Sequence, residues 1–359
     1  MRVFSCSRCG SLVNFEDARC LTCGAALGYV HGVDRMRALG TDGQATWAGA
    51  QWRRCAESDG GCNWLVRTSD PDPECAACRL IRRRPADNDE TGQGLLSQAK
   101  VAERRLLFQL LEHSLPITSA REAEGGLAFD LLSSTSEGEK VVTGHADGIV
   151  TIDLDEVGDA YRESIRVEFG EPYRTMLGHF RHEIGHYYWQ VIVADSPVID
   201  EFRDIFGDER ESYADAIERH YSEGTPPNWQ DNFISEYATM HPWEDFAESW
   251  AHYLHITDTL QTAASFRMRL GGLVGDKLAD SLKGTLTTAP DLSMTGYHNV
   301  DFGRILDTWH PLALAFNQIN RSMGKADLYP FVIPAPVRKK MTFVHEVIGA
   351  YVRLHQTEQ

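Results

Sequence analysis

No cysteine occurs after position 78, although eight stand in the first 78 residues. A network of disulfides through the whole of this 359-residue chain is therefore excluded. Long apolar runs are missing too. Nothing approaches the roughly 18 consecutive apolar residues of a membrane-spanning helix. The opening MRVFSCSRCG has no apolar core of the kind a secretory signal carries, so the expected compartment is the cytoplasm, with no membrane partner. Positive charge is scarce: 35 Lys+Arg against 52 Asp+Glu leave −17, which argues against nucleic acid as a partner. Low-complexity tracts are absent, and no repeat exists beyond the cysteine groups. What is there, 42% apolar and 24% charged residues, excludes wholesale disorder and suffices for two or three structural units.

The cysteines fall into two groups. Cys6, Cys9, Cys20 and Cys23 read C-x2-C-x10-C-x2-C, and Cys55, Cys62, Cys75 and Cys78 read C-x6-C-x12-C-x2-C. Two thiolates three positions apart grip one tetrahedral ion from a tight turn, and a second pair closes the site. Gly10, Gly24 and Asn63, each directly after a cysteine, suit the left-handed turns such sites need. The spacing predicts two structural zinc ribbons over residues 1–85, folding around metal rather than around a core. Residues 1–86 hold 12 Arg and 9 Asp+Glu, net +3, and the rest holds 23 Lys+Arg and 43 Asp+Glu, net −20. A mildly basic head, ending in Arg79–Arg84 (RLIRRR), thus precedes an acidic body. The head offers a surface for a protein partner. Residues 86–96, polar and Gly-containing, read as a linker.

Residues 97–359 read as a helix-rich α+β unit with a small sheet near its beginning. Helical periodicity covers Leu96–Leu115, a stretch starting near Glu171-Pro172 and running to about Val193, then Val198–Tyr221, Pro242–Ile256, Thr259–Leu282, Arg304–Ser322 and Val337–His355. Strands are expected at Leu127–Leu132 and Gly148–Leu154.

One helix carries His182-Glu183-Ile184-Gly185-His186. Residues four apart share a helical face, so both imidazoles can reach one ion. Glu183 sits one step round the turn, where a general base would take a proton from the attacking water. A catalytic zinc needs a third protein ligand. Two carboxylate pairs at i,i+4 spacing compete for that place: Glu211 with Asp215, and Glu244 with Glu248. Spacing leaves both open.

The stretches Arg181–Trp189 (RHEIGHYYW), Phe206–Tyr213 (FGDERESY) and His241–His255 (HPWEDFAESWAHYLH) resemble bacterial zinc-binding metallopeptidases bearing an N-terminal zinc ribbon. HExxH with a downstream Glu ligand is the gluzincin pattern. A more distant similarity is to the catalytic domain of anthrax lethal factor, whose H-E-x-G-H helix is followed by E-x-F-A-E with a Tyr seven residues before it. Glu244–Glu248 and Tyr237 match those spacings. The resemblance implies a zincin-like fold, Glu244 as third ligand and Glu248 orienting a ligand imidazole. It implies that Tyr237 donates to the oxyanion, and that a peptide or protein is the substrate. It also implies an edge strand that receives extended substrate, for which Gly148–Leu154 is the candidate. His241, His252 and His255 are rivals for the oxyanion role of Tyr237 or for supporting the site from behind, and His179 is expected to be structural. Tyr187, Tyr188 and Trp189 are expected to pack. Gly185 costs about 1 kcal/mol of helix propensity relative to Ala, which close backbone packing would explain. The competing expectation from a different class is a zinc-ribbon adaptor that binds protein or nucleic acid without cutting, supported by the basic Arg79–Arg84 run.

Overall fold

A computed structural model describes residues 2–32, 35–157, 175–270 and 300–356. The head is built of short strands: β1 (Phe4–Ser5), β2 (Leu12–Val13), β3 (Leu27–Val30), β4 (Arg35–Ala38), β5 (Gln44–Trp47), β6 (Ala50–Arg54) and β7 (Trp64–Arg67). The last five form one sheet in the order β4-β3-β7-β6-β5. The first cysteine group lies before this sheet in the chain, while the second begins at the end of β6 and closes after β7. The second site is therefore carried by this sheet, whereas β1 and β2 of the first group pair with each other. Asn63 does not adopt the left-handed conformation expected of it. It is buried instead, and its amide donates to the Phe15 carbonyl at 2.6 Å, tying one cysteine group to the other. Gly10 and Gly24 do turn left-handed, at φ 75° and 70°.

The polar stretch read as a linker over 86–96 is mostly helix. Asp89 accepts from the Gly92 amide as N-cap and starts α1 at Glu90, running to Glu112. A buried face (Leu96, Leu106, Leu107, Leu110) supplies the packing that a reading of polarity underestimates. Just before it, β8 (Ile81–Arg83) joins the body's sheet, in the order β10-β11-β9-β8. There β9 is Ala128–Leu132, β10 Gly144–Ala146 and β11 Ile149–Asp153, with the single-turn helix α2 (Ser134–Glu137) between β9 and β10. Strand β11 is parallel to β9 and antiparallel to β10, so it is paired on both sides. The expectation that this strand would be an edge is overturned, because the short β10 covers it.

Helix α3 (Met176–Tyr188) starts where the Thr175 hydroxyl accepts from Gly178, and continues as a π-helical turn to Ala194. The start expected at Glu171-Pro172 lies outside the described residues. Where one helix was expected over Val198–Tyr221 there are two, α4 (Ile199–Phe206) and α5 (Tyr213–Glu223), parted at Gly207 with φ 106°. The reverse happens next, for α6 is a single helix, Pro242–Ser265, across the break expected at Ile256–Thr259; the part of that expectation beyond residue 270 lies outside the described residues. Helices α7 (Phe302–Ser322) and α8 (Ala335–Gln356) complete the described body, a helix-rich α+β arrangement with its small sheet before the metal-motif helix. None of the described helices is long and apolar enough to cross a membrane.

Head and body share one core. Phe108 of α1 packs its ring 5.0 Å from Phe15 and 6.0 Å from Phe4. Arg82, Arg83 and Arg84 are engaged with Asp130, Glu137 and Glu57, so the basic run that favoured an adaptor is spent on ion pairs within the chain.

Candidate metal centre

The two cysteine groups are assembled as four-sulfur sites. Sulfurs lie 3.7 Å apart in the pairs Cys6–Cys23, Cys9–Cys20 and Cys62–Cys75. That is far beyond a disulfide of about 2.05 Å. It matches the roughly 3.8 Å edge of a tetrahedron with Zn–S bonds of about 2.3 Å. All four cysteines of the second group are buried, whereas Cys9 of the first is exposed.

In the body, α3 and α6 meet along a seam that Gly185 makes possible. A Cβ there would stand 3.0 Å from the Ala247 Cα and 3.2 Å from the Trp250 Cβ, which accounts for glycine inside this helix. Close approach brings the face bearing His182 and His186 against the first turns of α6. That helix begins with Pro242 at its first position and His241 as N-cap, whose Nδ1 accepts from the Trp243 amide at 3.2 Å. Glu244 then falls in the first turn and Glu248 one turn on.

The Glu244 Oε2 stands 2.9 Å from His182 Nε2 and 3.4 Å from His186 Nε2. These three donor atoms all lie within 4.8 Å of one another. The Glu248 Oε1 takes the other face of His182, 2.7 Å from Nδ1. Glu211, the competing carboxylate, is exposed and outside this group, as is Asp215. Only the Glu211 backbone carbonyl approaches, meeting His241 Nε2 at 3.2 Å.

Charge and burial couple the groups of this cluster closely. Burial works against a charged His182, yet Glu244 and Glu248 hold its pKa well above the usual imidazole value. Burial would lift Glu244, but His186 and His182 pull it well below the carboxylate range. The two imidazoles and the buried carboxylate form a donor group that could hold a metal ion. Glu183 is different. It is buried, its Oε2 has no hydrogen-bond partner, and desolvation raises its pKa despite the neighbouring imidazoles.

Tyr237 lies beside the cluster, its ring 5.7 Å from His182, and burial together with Glu244 raises its pKa well above 10. Trp243 covers His186 at 4.0 Å between ring centres. Tyr213 also reaches the cluster, its hydroxyl donating to Glu244 Oε1 at 2.8 Å. The sequence reading gave Tyr213 no role, although it closes the FGDERESY stretch. Two other histidines are occupied elsewhere: His252 pairs with the Tyr329 hydroxyl at 2.8 Å, and His255 faces Arg181 at 2.5 Å. Arg181 in turn binds Gln109 of α1 and Asp258 of α6, fixing the metal-motif helix from behind. Tyr188 is buried and stacks on Trp250, 5.1 Å between ring centres.

This fold and donor chemistry place the molecule among zinc-binding proteins. Residues 94–347 match the family described as "Putative zinc-binding metallo-peptidase", and residues 3–89 match a zinc-ribbon domain. The chain belongs to that metallopeptidase family, with the ribbon at its N-terminal end. Relatives include uncharacterized proteins of Mycobacterium bovis and of Mycobacterium tuberculosis strain H37Rv. Each is 43% identical over 351 residues, covering 97% of this chain and 95% of the relative. No solved structure matches the chain.

Proposed function

We propose that this chain is a zinc-dependent metallopeptidase of the gluzincin type. His182, His186 and Glu244 hold the catalytic ion, Glu183 is the general base, and a peptide or protein is the substrate. Two further zinc ions occupy the four-cysteine sites, and the head offers a surface to a protein partner. The site of action is the cytoplasm. The observation that carries this reading is a three-donor group with a buried carboxylate, one of whose oxygens has no hydrogen-bond partner, adjoining one of its imidazoles in sequence.

Bound there, zinc supplies Lewis acidity toward a substrate carbonyl and lowers the pKa of water. Glu183 takes a proton from the attacking water and returns it to the leaving amine. Its raised pKa brings it nearer the range in which a base both accepts and gives. Glu248 holds His182 by Nδ1, so the ring presents Nε2 to the ion. Tyr237 stays protonated and donates to the developing oxyanion.

Elemental analysis of wild type, Glu183→Gln and His182→Ala tests the assignment. The expected zinc content is about three, three and two per folded chain. Glu183→Gln should lose on the order of 10²–10⁴-fold in turnover of a peptide library. An active Glu183→Gln enzyme would overturn the mechanism, and unchanged zinc in His182→Ala would overturn the site.

A further inference from the structure

The two oxygens of Glu244 have different partners. Oε2 faces both imidazoles, at 2.9 and 3.4 Å, while Oε1 accepts from the Tyr213 hydroxyl at 2.8 Å. A carboxylate with both oxygens free can hold a cation with one or with both. Here one oxygen is already engaged.

The segment that delivers Tyr213 is secured at three points. Gly207, at φ 106°, passes so near α6 that a Cβ would stand 3.1 Å from Pro242 Cγ. Arg203 of α4 holds Glu209 through two bonds, 3.1 Å from Nε and 2.6 Å from its terminal nitrogen. His241 supplies the third. Its Nδ1 accepts from the Trp243 amide, so in the neutral ring Nε2 carries the hydrogen and donates to the Glu211 carbonyl at 3.2 Å. The residue that caps α6, three positions before Glu244, therefore also anchors the segment ending at Tyr213. Ser212 then caps α5, and Tyr213 is its first residue, with its ring 5.3 Å from His241. Side chains from α4, α6 and the turn itself thus hold one phenol over one oxygen.

We infer that residues 207–213 are a positioning strap whose Tyr213 hydroxyl occupies Glu244 Oε1, so that the carboxylate presents Oε2 alone to the ion. The inference rests on the metallopeptidase reading and assigns to Tyr213 a role through Glu244. Hydrogen bonds that hold a ligand carboxylate are typically worth about 10–100-fold in metal affinity or activity. Without the phenol, Oε1 is free to turn toward the ion and add a further oxygen ligand.

The test is Tyr213→Phe in the full chain with zinc kept in the ribbons and Co2+ introduced at the body's site. Difference spectra against His182→Ala remove any cobalt held elsewhere. The expected result is weaker visible bands, reporting a higher coordination number, with a zinc dissociation constant raised about 10–100-fold in chelator competition. Wild-type bands and a wild-type constant would overturn the strap. So would a raised constant with unchanged bands, because loosened packing alone would produce it. If the wild type itself took up no more cobalt than His182→Ala, the metal reading would fail first and the strap with it.

Discussion

Glu183 and Glu244 are both buried carboxylates of one cluster, yet their protonation is pulled in opposite directions. Desolvation raises both. In Glu244 the two imidazoles it faces outweigh that cost, while Glu183 has an oxygen with no partner. This division separates a group suited to holding a cation from one suited to carrying a proton. Two histidines outside the donor group, His145 partly buried and His252 buried, show the same balance. His145 on β10 and His252 on α6 are pushed down by burial to about 4. An unfolded imidazole takes its proton near pH 6.5. Between roughly pH 6.5 and 4 these two imidazoles therefore bind more protons in the unfolded chain than in the folded one, and their contribution to stability falls as pH falls through that window. Urea midpoints of wild type and His252→Gln at pH 7, 5.5 and 4.5 isolate this contribution: relative to wild type, the variant's midpoint should rise as pH falls, because it lacks the depressed imidazole. Equal slopes in the two proteins would contradict the assignment to His252.

At the scale of elements, the centre depends on the α3–α6 seam, because one helix carries both imidazoles and the other both carboxylates. Gly185→Ala gains about 1 kcal/mol of helix propensity. Against that, the new Cβ meets backbone at 3.0 Å, and backbone yields less readily than a flexible side chain. Overpacking of this kind costs about 1–3 kcal/mol. The net expectation is a lower melting temperature together with weaker zinc retention at the body's site, measured by calorimetry and chelator competition. A stabilised variant that keeps its zinc would show that the seam has slack. The seam also explains a difference from the sequence reading. Periodicity divided α6 at Ile256–Thr259, but Thr257 and Leu260 are buried, so the helix continues through that point.

At the scale of the whole molecule, head and body pack through one shared core rather than sitting as beads on a tether. The aromatic contacts of Phe4, Phe15 and Phe108 cross the junction. So do Arg105–Glu16 at 2.5 Å and Lys100–Glu57 at 2.7 Å, and β8 forms part of the body's sheet. Loss of a ribbon's metal should therefore be felt throughout. Cys78→Ser is expected to lower the melting temperature of the body as well as the head, with a single calorimetric transition in the wild type. Two well-separated transitions, with only the first shifted by the variant, would refute this coupling.

What the sequence by itself determined was local or compositional. Cysteines three positions apart share a turn, and histidines four apart share a helical face. These relations hold whatever the rest of the chain does. Spacing left the choice between Glu211 and Glu244 open, and the resemblance favoured Glu244. Only the tertiary structure decided which carboxylate approaches the imidazoles, because that depends on how α6 crosses α3 at Gly185. It also decided that β10 covers β11, which is an inner strand of the described sheet, and that Asp89 starts a helix where the chain reads as a linker. Tyr213 had no visible role for the same reason. Thirty-one positions separate it from Glu244, and their hydrogen bond exists only once Gly207, Arg203 and His241 have folded the intervening chain back across the site.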